Sequence, residues 1–335
     1  MTRTKIQNSS LSFDSGPLAG MRNKIINGAM EISQRGTSFA AVANATYTID
    51  RFKWEQNGAM VVTITQSTDV PNNTFQSSYK VDVTTADASI AADDFAMIMQ
   101  SIEGYNVRDL IGQTFTLSFW VKSPKTGTHC VSFRNSGDDR SYVLEYTVSA
   151  ANTWEYKTLT VTGGLITAGT WNWTNEIGLT VIFTLTTGSI FQTTAGAWQT
   201  GNFKGTSSQV NCMDSTANDF FLTGVQLEIG SVATPFERRP IGTELSLCQR
   251  YYQVSATAFA GRSSLAGANF VESASSFKVD MRTTPNCNVY NFFGDAGASS
   301  SPGLVDVTST GAVMRPTITG SNQFYRSGYT AFAEL

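Results

Sequence analysis

Alternation with a period of two, repeated through many short segments, limits the fold of this chain more than any other feature. In Phe115–Val121 (FTLSFWV), Phe115, Leu117, Phe119 and Val121 fall on one face and Thr116, Ser118 and Trp120 on the other. Near the middle of the chain, Phe221, Thr223, Val225, Leu227 and Ile229 read as one face of a strand, with Leu222, Gly224, Gln226 and Glu228 opposite. Ala59–Gln66, Tyr79–Thr84, Phe95–Ile102, His129–Arg134, Tyr142–Val148, Trp154–Thr162 and Leu179–Thr186 carry similar signals, and NSGDD between two of them reads as a hairpin turn. Earlier, Ile25, Ile26, Met30 and Ile32 read as core positions of a first strand, interrupted by a turn or bulge at Asn27–Gly28. About nine strands with almost no helical periodicity predict an antiparallel two-sheet sandwich, a jelly roll.

Gly230 ends the last of these strands, and Pro235 and Pro240 punctuate an extended exit. Leu245, Cys248 and Tyr252 then fall at helical spacing. Beyond them, Ser275–Met281, Asn288–Phe293, Leu304–Thr308 and Met314–Thr319 read as strands of a second β domain, thin enough in core residues that oligomerisation would complete it. The expected organisation is all-β. It comprises an extended arm (1–22), a jelly-roll β-sandwich (23–236), a short connector helix (237–254) and a smaller C-terminal β domain (255–335). The long polar stretch 187–218 reads as a loop that is functional or held by a partner.

Composition narrows the function. Charged residues make up 15% of the chain, against roughly 25% in a typical soluble domain, so Thr, Ser, Gly and Asn coat the strands. With a net charge of −3 and no basic stripe beyond Arg3, Lys5, Arg22 and Lys24, nucleic-acid binding is disfavoured. The basic N-terminus reads either as a solvated tail or as a docking arm, with Ile6, Leu11 and Phe13 as its apolar contacts. No run approaches the roughly 20 apolar residues of a membrane span, and MTRTKIQNSS lacks a secretory leader, which predicts synthesis in a cytoplasm and no membrane insertion. Cys130, Cys212, Cys248 and Cys287 have no metal-type spacing and read as buried thiols.

His129 is the sole histidine, which excludes multi-histidine metal sites and leaves Ser–His–Asp chemistry weak. Its neighbour Cys130 points to the opposite strand face. The adjacent carboxylates Asp93–Asp94 and Asp138–Asp139 could in principle serve glycoside hydrolysis, which needs two carboxyls facing each other across a bond, but Asp138 and Asp139 occupy a turn, so no catalytic set is expected and the chain reads as a non-enzyme. Trp171 and Trp173, two apart in TWNWTN, share a face in an extended segment. With Trp198 they form either a platform for sugar rings or plugs in the core or an interface. Glu31, Asp219 and Glu228, near the two ends of the sandwich chain, are the oxygen ligands expected of a structural calcium; no other cofactor is expected.

Three blocks in order resemble the tail-fibre and related tail proteins of tailed bacteriophages and prophages. The first is NKIINGAMEISQRGTSF with YTIDRF (Asn23–Phe39, Tyr47–Phe52), where the family's usual Trp is Phe52. The second is QSIEG with FTLSFWVKS (Gln100–Gly104, Phe115–Ser123), and the third is LTGVQLEIGSVATPFERRP leading to LCQRYY. Together they span Asn23–Tyr252, about two thirds of the chain. The resemblance implies a carbohydrate-binding-module-like jelly roll on a virion, usually a homotrimer, made in the host cytoplasm and partnered by other tail proteins and a host cell-surface glycan. It implies tail attachment through the arm (Arg3, Lys5, Ile6, Leu11, Phe13) and a trimerisation or receptor-binding role for the C-terminal domain. Glu237, Arg238, Arg239, Tyr251 and Tyr252 would then lie where three copies meet. A purely architectural tail or baseplate role is the alternative, and a tail depolymerase ranks last.

Overall fold

The computed structural model of the protein describes residues 21–262, 272–294, 303–315 and 324–335. The expected attachment arm, with Arg3, Lys5, Ile6, Leu11 and Phe13, lies outside them. In chain order the first strands are β1 (Ser38–Phe39), β2 (Thr46–Tyr47), β3 (Lys53–Asn57), β4 (Val61–Ser67), β5 (Ser78–Thr85) and β6 (Phe95–Glu103). Next come β7 (Phe115–Lys122), β8 (Gly127–Asn135), β9 (Arg140–Val148), β10 (Glu155–Val161), β11 (Ile177–Thr187), β12 (Trp198–Thr200) and β13 (Asp219–Ile229). They form a six-stranded sheet in the order β1-β4-β5-β13-β7-β10 and a seven-stranded sheet in the order β12-β9-β8-β11-β6-β3-β2. Every pairing is antiparallel, and the chain passes repeatedly between the two sheets. The fold is an all-β jelly-roll sandwich. Its core lies between the sheets, around Phe52, Trp54, Phe115, Phe119, Phe133, Phe183 and Phe220.

One sequence expectation fails inside β13, and the failure shapes the molecule. Thr223 pairs with Trp120 of β7, but Gln226 already pairs with Ser118, so β13 carries one extra residue between them. This is a β-bulge, with Gly224 in the left-handed region at φ 62°. A one-residue insertion exchanges the faces of everything beyond it. Phe220 and Leu222 face the core before the bulge and Val225 and Leu227 after it, while Phe221, Thr223, Gln226 and Glu228 face outward. The single continuous face drawn through Phe221, Val225 and Leu227 is therefore corrected.

The segment around Ile25–Ile32 is likewise not a strand. Asn27 and Met30 have positive φ (60° and 59°), and side chains do the pairing that a ladder would have done. Asn27 donates to the Ile32 and Asp50 carbonyls and accepts from the Ile32 amide. Asn23 donates to the Val225 carbonyl and accepts from the Leu227 amide, tying the segment to β13. Ile25, Met30 and Ile32 are buried as expected. The stretch 187–218 is held by its own chain. Its backbone amides at Val210 and Cys212 donate to Thr128 and Leu185, and the Lys204 carbonyl accepts from Thr184.

The helix α1 (Ile241–Gln249) is shorter than the 237–254 connector, because β14 (Tyr252–Arg262) begins at once. The remaining strands are β15 (Ser273–Ser276), β16 (Asn286–Gly294), β17 (Gly303–Val305), β18 (Gly311–Arg315) and β19 (Phe324–Phe332). They form two three-stranded sheets, β14-β19-β16 and β15-β18-β17, around Phe259, Phe277, Met281, Met314, Tyr325 and Tyr329.

A buried ionic joint ties these sheets to the sandwich. Arg51, 1% exposed, donates to Glu334 and to the Ser101 carbonyl, and its guanidinium lies 3.4 Å from the centre of the Tyr251 ring. Arg250 and the Tyr251 hydroxyl both donate to Glu103, at 3.0 and 2.6 Å. Arg35 donates to Glu334 at 2.9 Å and stacks on Tyr252 at 3.7 Å.

Beside the joint, Asp50 accepts from the Gln34 amide and side chain, with Arg35 3.8 Å away. Burial, opposed by Gln34 and Arg35, pushes its carboxyl up to about 6. A raised carboxyl means that the folded state holds a proton which the unfolded state has already released. The charged form then costs stability above pH 6, and the cost disappears as pH falls toward the unfolded value near 4, by up to about 3 kcal/mol. Denaturant unfolding is expected to show the parent gaining about 2 kcal/mol of stability relative to Asp50→Asn from pH 7.5 to 4.5. A constant gap would contradict the assignment.

Candidate functional site

The bulge and its neighbours build a groove on the outer face of the six-stranded sheet. Register places Tyr156 of β10 opposite Trp120 of β7, so both rings stand side by side on that face, 5.2 Å apart at 46°. Tyr156 is 44% exposed, and Trp120 is half-buried. Opposite them stand two loop phenylalanines, Phe75 from the β4–β5 connection and Phe236 after β13, in edge contact at 5.2 Å. Gly224 lies between the two sides. A Cβ there would fall 2.8 Å from Phe75 Cζ and 3.0 Å from Trp120 Cδ1, so only glycine lets these rings approach.

Phe236 is held in place by the outward residues of β13. Glu228 accepts from the Thr234 amide and hydroxyl (2.8 and 2.6 Å), and Gln226 accepts from the Glu237 amide at 2.7 Å. The resulting groove measures about 460 Å³, within the range of small-ligand sites. Its polar lining is Asn72, Thr74, Ser118 and Thr234. Aromatic faces with scattered hydroxyl and amide groups suit a ligand that is apolar on its ring face and hydroxylated at its rim.

The predicted platform is different. Trp171, Trp173 and Trp198 do come together, but Trp171 and Trp173 stack on each other at 5.1 Å and 7°, so each covers one face of the other. Trp198 abuts Trp171 edge-on at 5.6 Å and Tyr142 at 5.5 Å. The indole N–H groups of Trp171 and Trp198 donate to the Ala168 and Gly164 carbonyls. All three are half-buried and packed against the sandwich core. Of the two readings left open, the plug describes this geometry.

The calcium trio does not assemble. Asp219 opens β13 and Glu228 closes it, roughly 30 Å apart at the usual strand rise. Each carboxylate already has a cationic partner: Asp219 has Lys80, Glu228 has Arg22 and Glu31 has Arg238. Among the described residues no group of three His, Cys, Asp or Glu side chains is disposed to hold a metal.

The residues expected between chains find their partners within this one. Glu237 accepts from the Arg22 and Asn23 amides, and Arg239 binds Glu244 and the carbonyls of Asn23 and Ile25. Arg238 pairs with Glu31, while Tyr251 and Tyr252 belong to the ionic joint. Asp139 accepts from Asn135 and Thr170, Asp138 pairs with Arg134 and Asp94 accepts from the Ala91 amide, so these carboxylates hold turns. His129 has a partner that the strand argument missed: Cys212 Sγ lies 3.6 Å from its Nδ1, brought from 83 residues away. Both are sealed from solvent. Burial lowers the imidazole's affinity for a proton and pushes the thiol up to about 12, so the pair stays neutral.

Trp120 was legible as an outward-facing position of an alternating strand. Its pairing with Tyr156 across two strands, and the arrival of Phe75 and Phe236, were not.

No family model and no curated protein matches the sequence. Among solved structures, the chain resembles in part the enzymatically active domain of tailspike protein 4 of bacteriophage CBA120. There the identity is 18% and the TM-score 0.31, over 57% of this chain and 21% of that one, so the match covers about a fifth of that domain's length. A family 11 carbohydrate-binding module of a cellulosomal cellulase from Clostridium thermocellum matches at 11% identity and TM-score 0.32, over 58% of this chain and 97% of the module. A putative sugar binding protein from Bacteroides thetaiotaomicron matches at 9% identity and TM-score 0.34, over 62% of this chain and all of that one.

Proposed function

We propose that this chain is a non-enzymatic tail protein of a bacteriophage, a tail fibre whose jelly roll binds host surface glycan. The observation that carries the glycan reading is the Trp120–Tyr156 pair, two neighbouring rings left accessible on a sheet face beside neutral polar groups. The three sequence blocks support the tail assignment, and they support assembly as a homotrimer in which weak single sites gain avidity. Attachment to other tail proteins would fall to the arm.

The test uses the intact protein on host cell-surface polysaccharide. Trp120→Ala is expected to weaken retention about tenfold with little change in melting temperature, a loss inside the range of about 1–3 kcal/mol for stacking on one ring. Trp171→Ala should do the reverse, lowering the melting temperature and sparing retention. Exchange of those two outcomes would move the site to the tryptophan plug. Sedimentation of the same sample should give three times the 36.2 kDa chain mass.

The architectural reading has one observation in its favour. Tyr290 and Phe293 of β16 are 40% and 53% exposed, a face suited to another protein chain. Protein that neither binds host cells nor competes with phage adsorption would favour that role.

A further inference from the structure

We infer that the ligand of the Trp120 groove is an uncharged polysaccharide, and that acidic glycans are excluded. This rests on the glycan reading of the same groove and adds the class of sugar to it. Among the described residues, nothing that lines the groove is ionised: its walls are Trp120, Tyr156, Phe75 and Phe236, with Asn and hydroxyl groups between them.

Among the described residues, the cations that border it are engaged. Arg238, 5.6 Å from the Phe75 ring, is held by Glu31 at 3.0 Å. Lys122, two residues along the same face from Trp120, is bound to Asp69 and lies 4.1 Å over the Phe221 ring. Lys80, on the other side of Phe221, sits between Asp82 and Asp219 at 3.3 and 3.5 Å. On this flank three carboxylates face two lysines. A uronate or phosphate arriving here would shed water without gaining an unpaired cation, which is costly, and would lie beside the carboxylates that already hold these cations. A neutral pyranose loses nothing of the kind. Its C–H face stacks on the rings, and its hydroxyls meet Asn72, Thr74, Ser118 and Thr234.

The experiment compares polysaccharides that differ in charge alone. Binding of the intact protein is measured by affinity electrophoresis against acidic host-surface polysaccharide and against the same material after carboxyl reduction, alongside a panel of neutral glucans, galactans and mannans. Neutral material is expected to bind at least tenfold more tightly than the acidic parent at low salt, with the difference lost in Trp120→Ala. Thr74→Lys, which adds a cation at the exposed lip, should raise acidic binding several-fold. Equal or tighter binding of the acidic parent, still dependent on Trp120, would overturn the inference while leaving the glycan reading intact. Failure of every polysaccharide to bind would overturn both.

Discussion

Arg51→Ala is expected to lower the unfolding free energy by about 3–5 kcal/mol, the range seen when one member of a buried, hydrogen-bonded ion pair is removed. The cost comes from what the guanidinium leaves behind. Among the described residues the Glu334 carboxylate keeps only Arg35, the Ser101 carbonyl loses the Arg51 donor, and the face of Tyr251 loses the group that covers it. None of these groups can regain water without opening the joint, because Glu334 is 8% exposed and Tyr251 1%. The loss should therefore appear first at the C-terminal sheets. Limited proteolysis of the variant is expected to cleave within 252–335 before the sandwich. Arg51→Met, which fills the space without a charge, should recover little alone and more when combined with Glu334→Gln, since the uncompensated carboxylate is then gone. A loss below 1 kcal/mol for Arg51→Ala would mean that the joint is held elsewhere.

The joint also explains what the resembling sequence blocks do physically. Asp50 and Arg51 come from YTIDRF, Glu103 from QSIEG, and Arg250, Tyr251 and Tyr252 from LCQRYY, yet they meet in one cluster. Those strings could be read as identity but not as contact, because no local period links residues 50 and 150 positions apart. Strands were legible where alternation was unbroken, as in Phe115–Val121, whose core face is the observed one. The first block was misread because Asn23 and Asn27 substitute side-chain hydrogen bonds for a ladder, leaving buried isoleucines on a segment that is not a strand. The candidate site was half legible. Trp120 sits outward as its strand period requires, and Trp171 and Trp173 share a face as their spacing suggested, but stacked on each other. Two residues apart on an extended segment fixes direction, not whether the rings turn toward a ligand or toward each other.

Gly224 is where the sequence period and the site depend on the same atom, and Gly224→Ala is expected to weaken both stability and glycan binding. At φ 62° a side chain costs about 1–2 kcal/mol of backbone energy by itself. The added Cβ would also lie 2.8 Å from Phe75 and 3.0 Å from Trp120, so one ring must move. Phe75 is 4% exposed and braced by Phe236, which leaves Trp120, the half-buried ring, to give way. A displaced Trp120 no longer stands beside Tyr156, and binding should fall about tenfold or more, a loss on the scale of one stacked ring. Gly224→Asn separates the two effects. Asparagine tolerates the left-handed region better than alanine, so part of the stability should return, while its Cβ still crowds the rings and binding should stay low. If Gly224→Asn restored both, the glycine would serve only the backbone. If neither variant changed binding, the groove over the bulge would not be the site. The bulge cannot simply be ironed out to escape the clash: a regular β13 would turn Val225 and Leu227 out of the core and Gln226 and Glu228 into it. The face exchange that keeps the sandwich closed is thus the same local event that opens the groove.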